Sequence, residues 1–130
     1  MSNIIVLKCG GSTIDELSDR FFSNLLTLME SGMKVIIVHG GGPAIQQMLT
    51  KLNIESEFID GLRKTTAPVM DVVEMVLTGT VNNDFVRKLN QAGIDAIGLS
   101  GSDDQLMTAQ PLDLERYGHV DEIKEINEAL

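Results

Sequence analysis

The stretch IIVHGGGPAIQQML, residues 36–49, joins an apolar run to an amphipathic pattern through three consecutive glycines. The run before the glycines is β-branched and apolar on both faces, as strands buried in a parallel sheet usually are. After the glycines, Ile45, Met48, Leu49 and Leu52 recur at helical spacing. Because glycine loses more conformational freedom on folding than any other residue, three in a row indicate a strand-to-helix turn whose backbone must approach something closely.

The same arrangement occurs once before along the chain. An apolar run at residues 4–7 leads into the sequence KCGGS, residues 8–12, and residues 17–28 then carry apolar side chains at helical spacing up to Gly32. This βαβα order implies a parallel sheet covered by helices. We therefore predict an α/β fold with three α-β-α layers around a mostly parallel sheet, formed as a single domain by residues 1–130.

The middle of the chain changes character. Residues 57–64 (EFIDGLRK) alternate around Asp60-Gly61, which is a strong hairpin signal. Residues 69–76 have valines at helical spacing after Pro68, which predicts a third helix with the proline in its first turn. Gly79 is expected to interrupt that helix, and a fourth helical stretch then continues to about Gly93.

The remaining third contains shorter patterns. Residues 96–99 predict another buried strand, which would extend the parallel sheet. Residues 106–109 and 117–123 predict two strands of an antiparallel hairpin, and residues 124–130 are predicted to begin a helix.

The composition excludes several classes of function. The net charge is −9, and the basic residues form isolated pairs at Arg63-Lys64 and Arg87-Lys88. Because nucleic-acid affinity comes mostly from clustered Lys and Arg, nucleic acid is not expected as a partner. The single cysteine excludes an internal disulfide and favours a reducing compartment. No apolar run reaches the roughly 18 residues of a membrane span, and no signal-peptide pattern occurs, so we expect a cytoplasmic protein without membrane contact.

Both glycine turns follow strands of the predicted parallel sheet, so they should meet at the same sheet edge. Bare backbone amides there, together with a helix N-terminus, form a site for an anion, most commonly a phosphate. Lys8 directly precedes one turn, and a charge at the end of an apolar strand is costly unless it meets an anion. The alternative is that the glycines only form tight turns.

Familiar glycine motifs do not account for these turns. Neither the G-x-x-x-x-G-K-[ST] phosphate loop nor a G-x-G-x-x-G following a strand occurs. HGGG also occurs in the oxyanion holes of esterases, but a G-x-S-x-G nucleophile turn is needed with it. The nearest match, residues 98–102, has Ser102 in place of the last glycine, and His119 is the only candidate base besides His39.

Four segments in order carry a resemblance to a known family: KCGGS, VIIVHGGGP, FIDGLRKT and AIGLSGSD. Together they resemble the acetylglutamate kinases of the amino acid kinase superfamily, over essentially the whole chain. Members of that family are longer, and the resemblance covers their N-terminal, acetylglutamate-binding lobe. It implies ATP-dependent phosphorylation of the side-chain carboxylate of N-acetyl-L-glutamate, a step of arginine biosynthesis.

The resemblance also assigns roles to the glycine turns. Lys8 is implied as the catalytic cation that stabilises the phosphoryl group in the transition state. Gly10 and Gly11 are implied to bind that group through backbone amides, and Gly41 and Gly42 to bind the acceptor substrate. Such preorganised donors suit phosphoryl transfer, which depends mostly on positioning and on neutralising charge.

The hairpin is the other implied part of the site. Arg63 is implied to bind the α-carboxylate of acetylglutamate, since a guanidinium matches a carboxylate in a bidentate fashion. The turn at Asp60-Gly61 would make the hairpin a lid over the amino acid. His39 is expected to be a packed strand-end residue without a chemical role, and Cys9 a core residue.

The resemblance further implies ATP with Mg²⁺ as co-substrate, no metal site in this lobe, and a homodimer of the arginine-insensitive type. Because the C-terminal ATP-binding lobe is then absent, we expect no turnover of ATP by the 130-residue chain alone. Two alternatives stay open: a non-catalytic module for amino-acid binding or assembly, and a kinase for acetyl-aminoadipate.

Overall fold

Two parallel strands form the centre of the fold. The computed structural model describes residues 3–129, and in it β1 (Ile4–Cys9) pairs in parallel with β2 (Lys34–His39), Cys9 lying opposite His39. The helix α1 (Asp19–Glu30) connects them, after a 3₁₀ turn at Ile14–Glu16. The predicted βαβ unit is therefore confirmed, and the carboxyl ends of both strands lie side by side.

One face of this sheet is covered by helices. The inward side chains of β1 and β2 pack with α1 and α4 (Asn83–Gln91) around a core whose buried members are Cys9, Ile14, Leu25, Phe85, Leu89 and Ile94. The outward side chains Ile4, Val6, Ile36 and Val38 are all exposed. The α/β class is confirmed, while the described residues cover only one face of the sheet.

A second core lies between three helical segments. α2 (Gly42–Lys51), α3 (Ala67–Glu74) and a π-helical segment (Met75–Asn82) enclose a cluster whose buried residues are Ile45, Leu49, Val69, Val72 and Val76. Val81 packs against both cores. The π-helical segment therefore joins the sheet-facing core to the helix that begins at the second glycine turn.

Two antiparallel hairpins complete the chain. β3 (Phe58–Ile59) and β4 (Leu62–Arg63) form the first, as predicted, with positive φ at Asp60 (52°) and Gly61 (80°) as a type I′ turn requires. β5 (Met107–Pro111) and β6 (Asp121–Ile126) form the second, with the short helix α5 (Leu114–Tyr117) between them and a 3₁₀ turn at Asp103–Gln105 before them.

The predicted interruption at Gly79 is wrong, because the chain stays helical from α3 through the π-helical segment into α4. The prediction rested on the glycine, which is a poor helix former. Across it the packed residues Val73, Leu77, Val81 and Phe85 are four apart, so the packed side of the helix continues past Gly79.

The predicted strand at residues 96–99 is also wrong, since these residues form no ladder. The amide of Ala96 donates to Asn90 Oδ1 (3.0 Å) instead of to a neighbouring strand. The Asn82 side chain lies against Gly98, and Ile97 is 84% exposed. The Ala96 amide is thus bonded to a side chain of α4, and the Asn82 side chain lies beside the backbone at Gly98.

The C-terminal boundaries differ from those predicted. Tyr117 ends α5 instead of beginning a strand, because Asp113 Oδ1 caps that helix at Arg116 N (3.0 Å) and Gly118 ends it at φ 69°. The strand lies at Asp121–Ile126, where Glu125 and Ile126 pair with β5 and Lys124 lies at a register shift, so residues 124–126 are not helical. The antiparallel hairpin itself is confirmed, and the end of the predicted helix, Leu130, lies outside the described residues.

Across residues 3–129, no helix has both the length and the apolar character that crossing a membrane requires.

Candidate functional site

The two glycine turns lie in direct contact at the carboxyl edge of the sheet. A Cβ placed on Gly11 would lie 2.7 Å from Gly41 N and 2.9 Å from Gly42 N. The Gly40 amide also faces the Cys9 carbonyl oxygen, at 3.4 Å. Since real Cβ atoms do not approach so closely, only a glycine at position 11 permits this contact. The predicted meeting of the two turns is therefore observed.

Backbone amides at this contact are free of protein acceptors. Within residues 3–129, the N–H groups of Gly11, Gly41, Gly42 and Ala44 donate no hydrogen bond to another protein atom. Gly42 and Ala44 belong to the first turn of α2, where the helix dipole adds partial positive charge and no side chain caps the end. The cluster is thus chemically suited to an anion.

Side chains of the π-helical segment pack against Gly41. Gly41 is buried, and a Cβ there would lie 2.7 Å from Leu77 Cδ2 and 3.1 Å from Val81 Cγ2. These two side chains were not identified from the sequence, since the predicted interruption at Gly79 lies between them. They form the wall against which the amide cluster rests.

His39 and Cys9 pack as predicted. Cys9 is buried in the core. The His39 ring packs edge-on against Phe85, its Nδ1 lies 3.1 Å from the Gly40 carbonyl oxygen, and its Nε2 lies 3.4 Å from Asn82 Oδ1. Both strand-end side chains therefore hold the backbone at the glycine turns in place.

Lys8 lies in a different environment from the one expected. It pairs opposite Val38 and is exposed, on the outward face of the sheet together with Val6. An exposed ammonium group pays no desolvation cost, so the expectation that Lys8 needs an anion to offset burial is wrong. Among residues 3–129 no carboxylate forms an ion pair with Lys8.

Arg63 reaches from β4 to α2. Its Nη1 donates to Gln46 Oε1 (2.8 Å) and to Ser56 Oγ (2.6 Å), and its guanidinium carbon lies 4.6 Å from the centre of the Phe58 ring. Gln46 follows Gly42 by one helical turn, a rise of about 6 Å. The Arg63 guanidinium therefore contacts α2 about one helical turn from the free amides at the start of that helix.

Arg63 forms no ion pair with a carboxylate in the described residues 3–129. Its partners are an amide and a hydroxyl, while the nearby carboxylate of Glu57 pairs with Lys64 at 3.2 Å. Sequence reasoning missed Gln46 and Ser56, because a polar side chain on an exposed helix face and one in a loop give no distinguishing signal. They orient a guanidinium that keeps its positive charge available.

The esterase alternative is not supported by the geometry around Ser100. Ser100 Oγ bonds to Asp103 Oδ2 (3.0 Å) and Ser102 Oγ (2.9 Å), and the bonds to Ser100 lower the pKa of Asp103. No histidine nitrogen in residues 3–129 bonds to this serine. In the same part of the chain, no group of three His, Cys, Asp or Glu side chains could hold a metal ion.

The family model described as the amino acid kinase family matches residues 3–130. The chain belongs to the amino acid kinase family. Among curated members it is 54% identical over 127 residues to the acetylglutamate kinase of Bacillus pumilus (98% of this chain, 49% of that protein). It is 53% identical over 130 residues to the acetylglutamate kinase of Bacillus subtilis (100% of this chain, 50% of that protein). The chain spans about half the length of the curated relatives it matches.

Two solved structures have a fold similar to that of this chain. A crystal structure of a Streptococcus mutans protein matches with a TM-score of 0.92 and 34% identity, over 98% of this chain and 52% of that one. N-acetylglutamate synthase from Neisseria gonorrhoeae, solved with coenzyme A and N-acetyl-glutamate, matches with a TM-score of 0.69 and 15% identity, over 95% and 28%. The second likeness concerns the fold alone.

Proposed function

We propose that this chain is the N-terminal, acetylglutamate-binding lobe of an acetylglutamate kinase, which transfers the γ-phosphoryl group of ATP to the side-chain carboxylate of N-acetyl-L-glutamate. The observation that carries the proposal is the contact between the two glycine turns, both of which have backbone amides without a protein acceptor in residues 3–129. The proposed substrate is taken from the relatives named acetylglutamate kinase, which are 52–54% identical along the chain.

The reaction brings two anions together, and the amide cluster offsets their repulsion. A carboxylate oxygen forms a bond to the γ-phosphorus, the bond to the ADP oxygen breaks, and an acyl phosphate results. In this scheme Gly41 and Gly42 bind the acceptor, and Gly10 and Gly11 bind the phosphoryl oxygens. Lys8 extends from the exposed sheet face toward the phosphoryl group and stabilises its charge.

Arg63 serves recognition in this scheme. Its charge is available, its guanidinium carbon lies over the Phe58 ring, and Gln46 and Ser56 orient it. A guanidinium held in this way binds the α-carboxylate of acetylglutamate with two parallel hydrogen bonds. The side-chain carboxylate is then directed one helical turn back, toward the free amides.

The proposal includes ATP as co-substrate, with Mg²⁺ bound to its phosphates, and most of the nucleotide site on the C-terminal lobe of the kinase. It also places the protein in the cytoplasm as a homodimer, without nucleic acid or membrane as partner. The acidic net charge supports the absence of nucleic acid as a partner, and the single cysteine supports a reducing compartment. Sedimentation velocity at micromolar concentration tests the homodimer, and a monomer alone would contradict it.

Binding of N-acetylglutamate tests the function, because binding requires no turnover. We expect calorimetry to show that the 130-residue chain binds N-acetylglutamate and that Arg63→Ala weakens binding at least about 100-fold. The reason is the loss of two charged hydrogen bonds, each worth roughly 1.5–3 kcal/mol.

Arg20→Ala is the matched control, since Arg20 is an exposed arginine on α1, and it should leave the affinity unchanged. Equal losses in both variants, or no binding by the wild type, would contradict the proposal. Tighter binding of acetyl-aminoadipate than of acetylglutamate would instead identify the longer substrate.

A further inference from the structure

The segment between the strands of the second hairpin is fastened to the base of the first hairpin. The Thr65 amide donates to the Tyr117 carbonyl oxygen (2.8 Å), and the His119 amide donates to the Thr65 carbonyl oxygen (2.7 Å). Thr65 is buried, and its Oγ1 donates to the carbonyl oxygen of Arg63 (2.9 Å). The backbone that carries Arg63 is thus tied directly to the end of α5.

The same segment also holds the tip of that hairpin. Asp60 Oδ2 accepts hydrogen bonds from Arg116 Nη2 (2.6 Å) and from Tyr117 Oη (2.8 Å). The Arg116 guanidinium carbon lies 5.2 Å from the centre of the Tyr117 ring, so the two donors support each other. One carboxylate oxygen therefore joins the hairpin tip to α5, through residues that are 56 and 57 positions from Asp60 in the chain.

We propose that Asp60, Arg116 and Tyr117 are positioning residues that clamp the tip of the β3–β4 hairpin and so hold Arg63 against α2. The clamp is inferred from contacts within the chain. Its effect on substrate affinity rests on the proposed role of Arg63. A hairpin of two residues per strand has little stability of its own. Attachment of the hairpin at its tip and at its base limits the positions that the Arg63 guanidinium can take.

Tyr117 gives the clamp a spectroscopic signal of its own. It is the only tyrosine, and the chain has no tryptophan. The hydrogen bond to Asp60, aided by partial burial and by the charges of Asp60 and Asp113, raises the pKa of Tyr117, which Arg116 opposes. The protonated hydroxyl donates to Asp60, so the bond persists below the ordinary pKa and is lost as the pH rises through the raised value.

Two conservative variants test the clamp. Asp60→Asn removes the carboxylate charge, so Tyr117 should ionise at lower pH in an absorbance titration of tyrosinate. Tyr117→Phe removes only the hydroxyl. Both should weaken N-acetylglutamate binding about 3- to 10-fold in calorimetry, as expected for one lost hydrogen bond. Both should also speed hydrogen exchange of the Lys64 amide, which bonds to the Glu57 carbonyl oxygen (2.9 Å) within this hairpin.

Glu122→Gln is the control, because it removes an exposed ion pair with Lys124 on β6 and should change none of these readouts. An unchanged tyrosine titration and Lys64 exchange in Asp60→Asn would overturn the clamp. A shifted titration with unchanged affinity would overturn its positioning role. If the wild type binds no acetylglutamate while Lys64 exchange still accelerates in both variants, the clamp is supported and the proposed function fails.

Discussion

A Gly11→Ala variant is expected to lose at least about 100-fold in affinity for N-acetylglutamate, because the loss of two charge-assisted amide bonds costs roughly 3–6 kcal/mol. The added Cβ would lie 2.7–2.9 Å from backbone atoms of Gly41 and Gly42. Backbone cannot rotate away as a flexible side chain does, so the two turns must separate. Calorimetry on the folded variant measures the loss.

The same substitution should cost about 1–3 kcal/mol in the free energy of unfolding, the usual cost of overpacking. Gly79→Ala is the matched control, since a Cβ at Gly79 meets nothing within 4 Å and the residue lies in a helical segment. It should keep the affinity and slightly raise stability. If Gly11→Ala binds as tightly as Gly79→Ala, the two turns do not form a common site.

The parts of the fold that the sequence predicts correctly are those set by local spacing. Both strand-turn-helix units follow from apolar runs, glycines and helical periodicity, and the hairpin at Asp60-Gly61 follows from turn chemistry. The glycines of the site could be identified for the same reason. A turn that ends a parallel strand has only one edge of the sheet on which to lie.

The parts that could not be predicted depend on contacts between distant residues. The contact of Leu77 with Gly41 joins residues 36 positions apart, and the attachment of Asp60 to Tyr117 spans 57 residues. The exposure of Lys8 depends on what covers the outward face of the sheet, and strand periodicity carries no information about that. The apolar run at residues 96–99 does not form a strand, and its Ala96 amide donates to the Asn90 side chain. That contact cannot be read from the apolar pattern.

A Gly118→Ala variant is expected to lose about 3–5 kcal/mol in the free energy of unfolding. This loss should exceed that of a substitution at any of the three clamp residues. Gly118 has φ 69° and ψ −140°, a region that essentially only glycine occupies. A Cβ there would also collide with the Thr65 carbonyl group, which accepts from the His119 amide. Strain and collision act at one residue, so their costs combine.

Urea unfolding of the variant measures this cost, and Gly93→Ala is the reference for a glycine of positive φ without a close neighbour. A Cβ at Gly93, where φ is 82°, meets nothing within 4 Å, so only backbone strain, about 1 kcal/mol, should appear. The excess at Gly118 then reports its rarer backbone region together with the close approach to Thr65. Equal costs at both glycines would mean that Thr65 and Gly118 do not stay in contact, and the base of the hairpin would then lack the attachment through which α5 reaches Arg63.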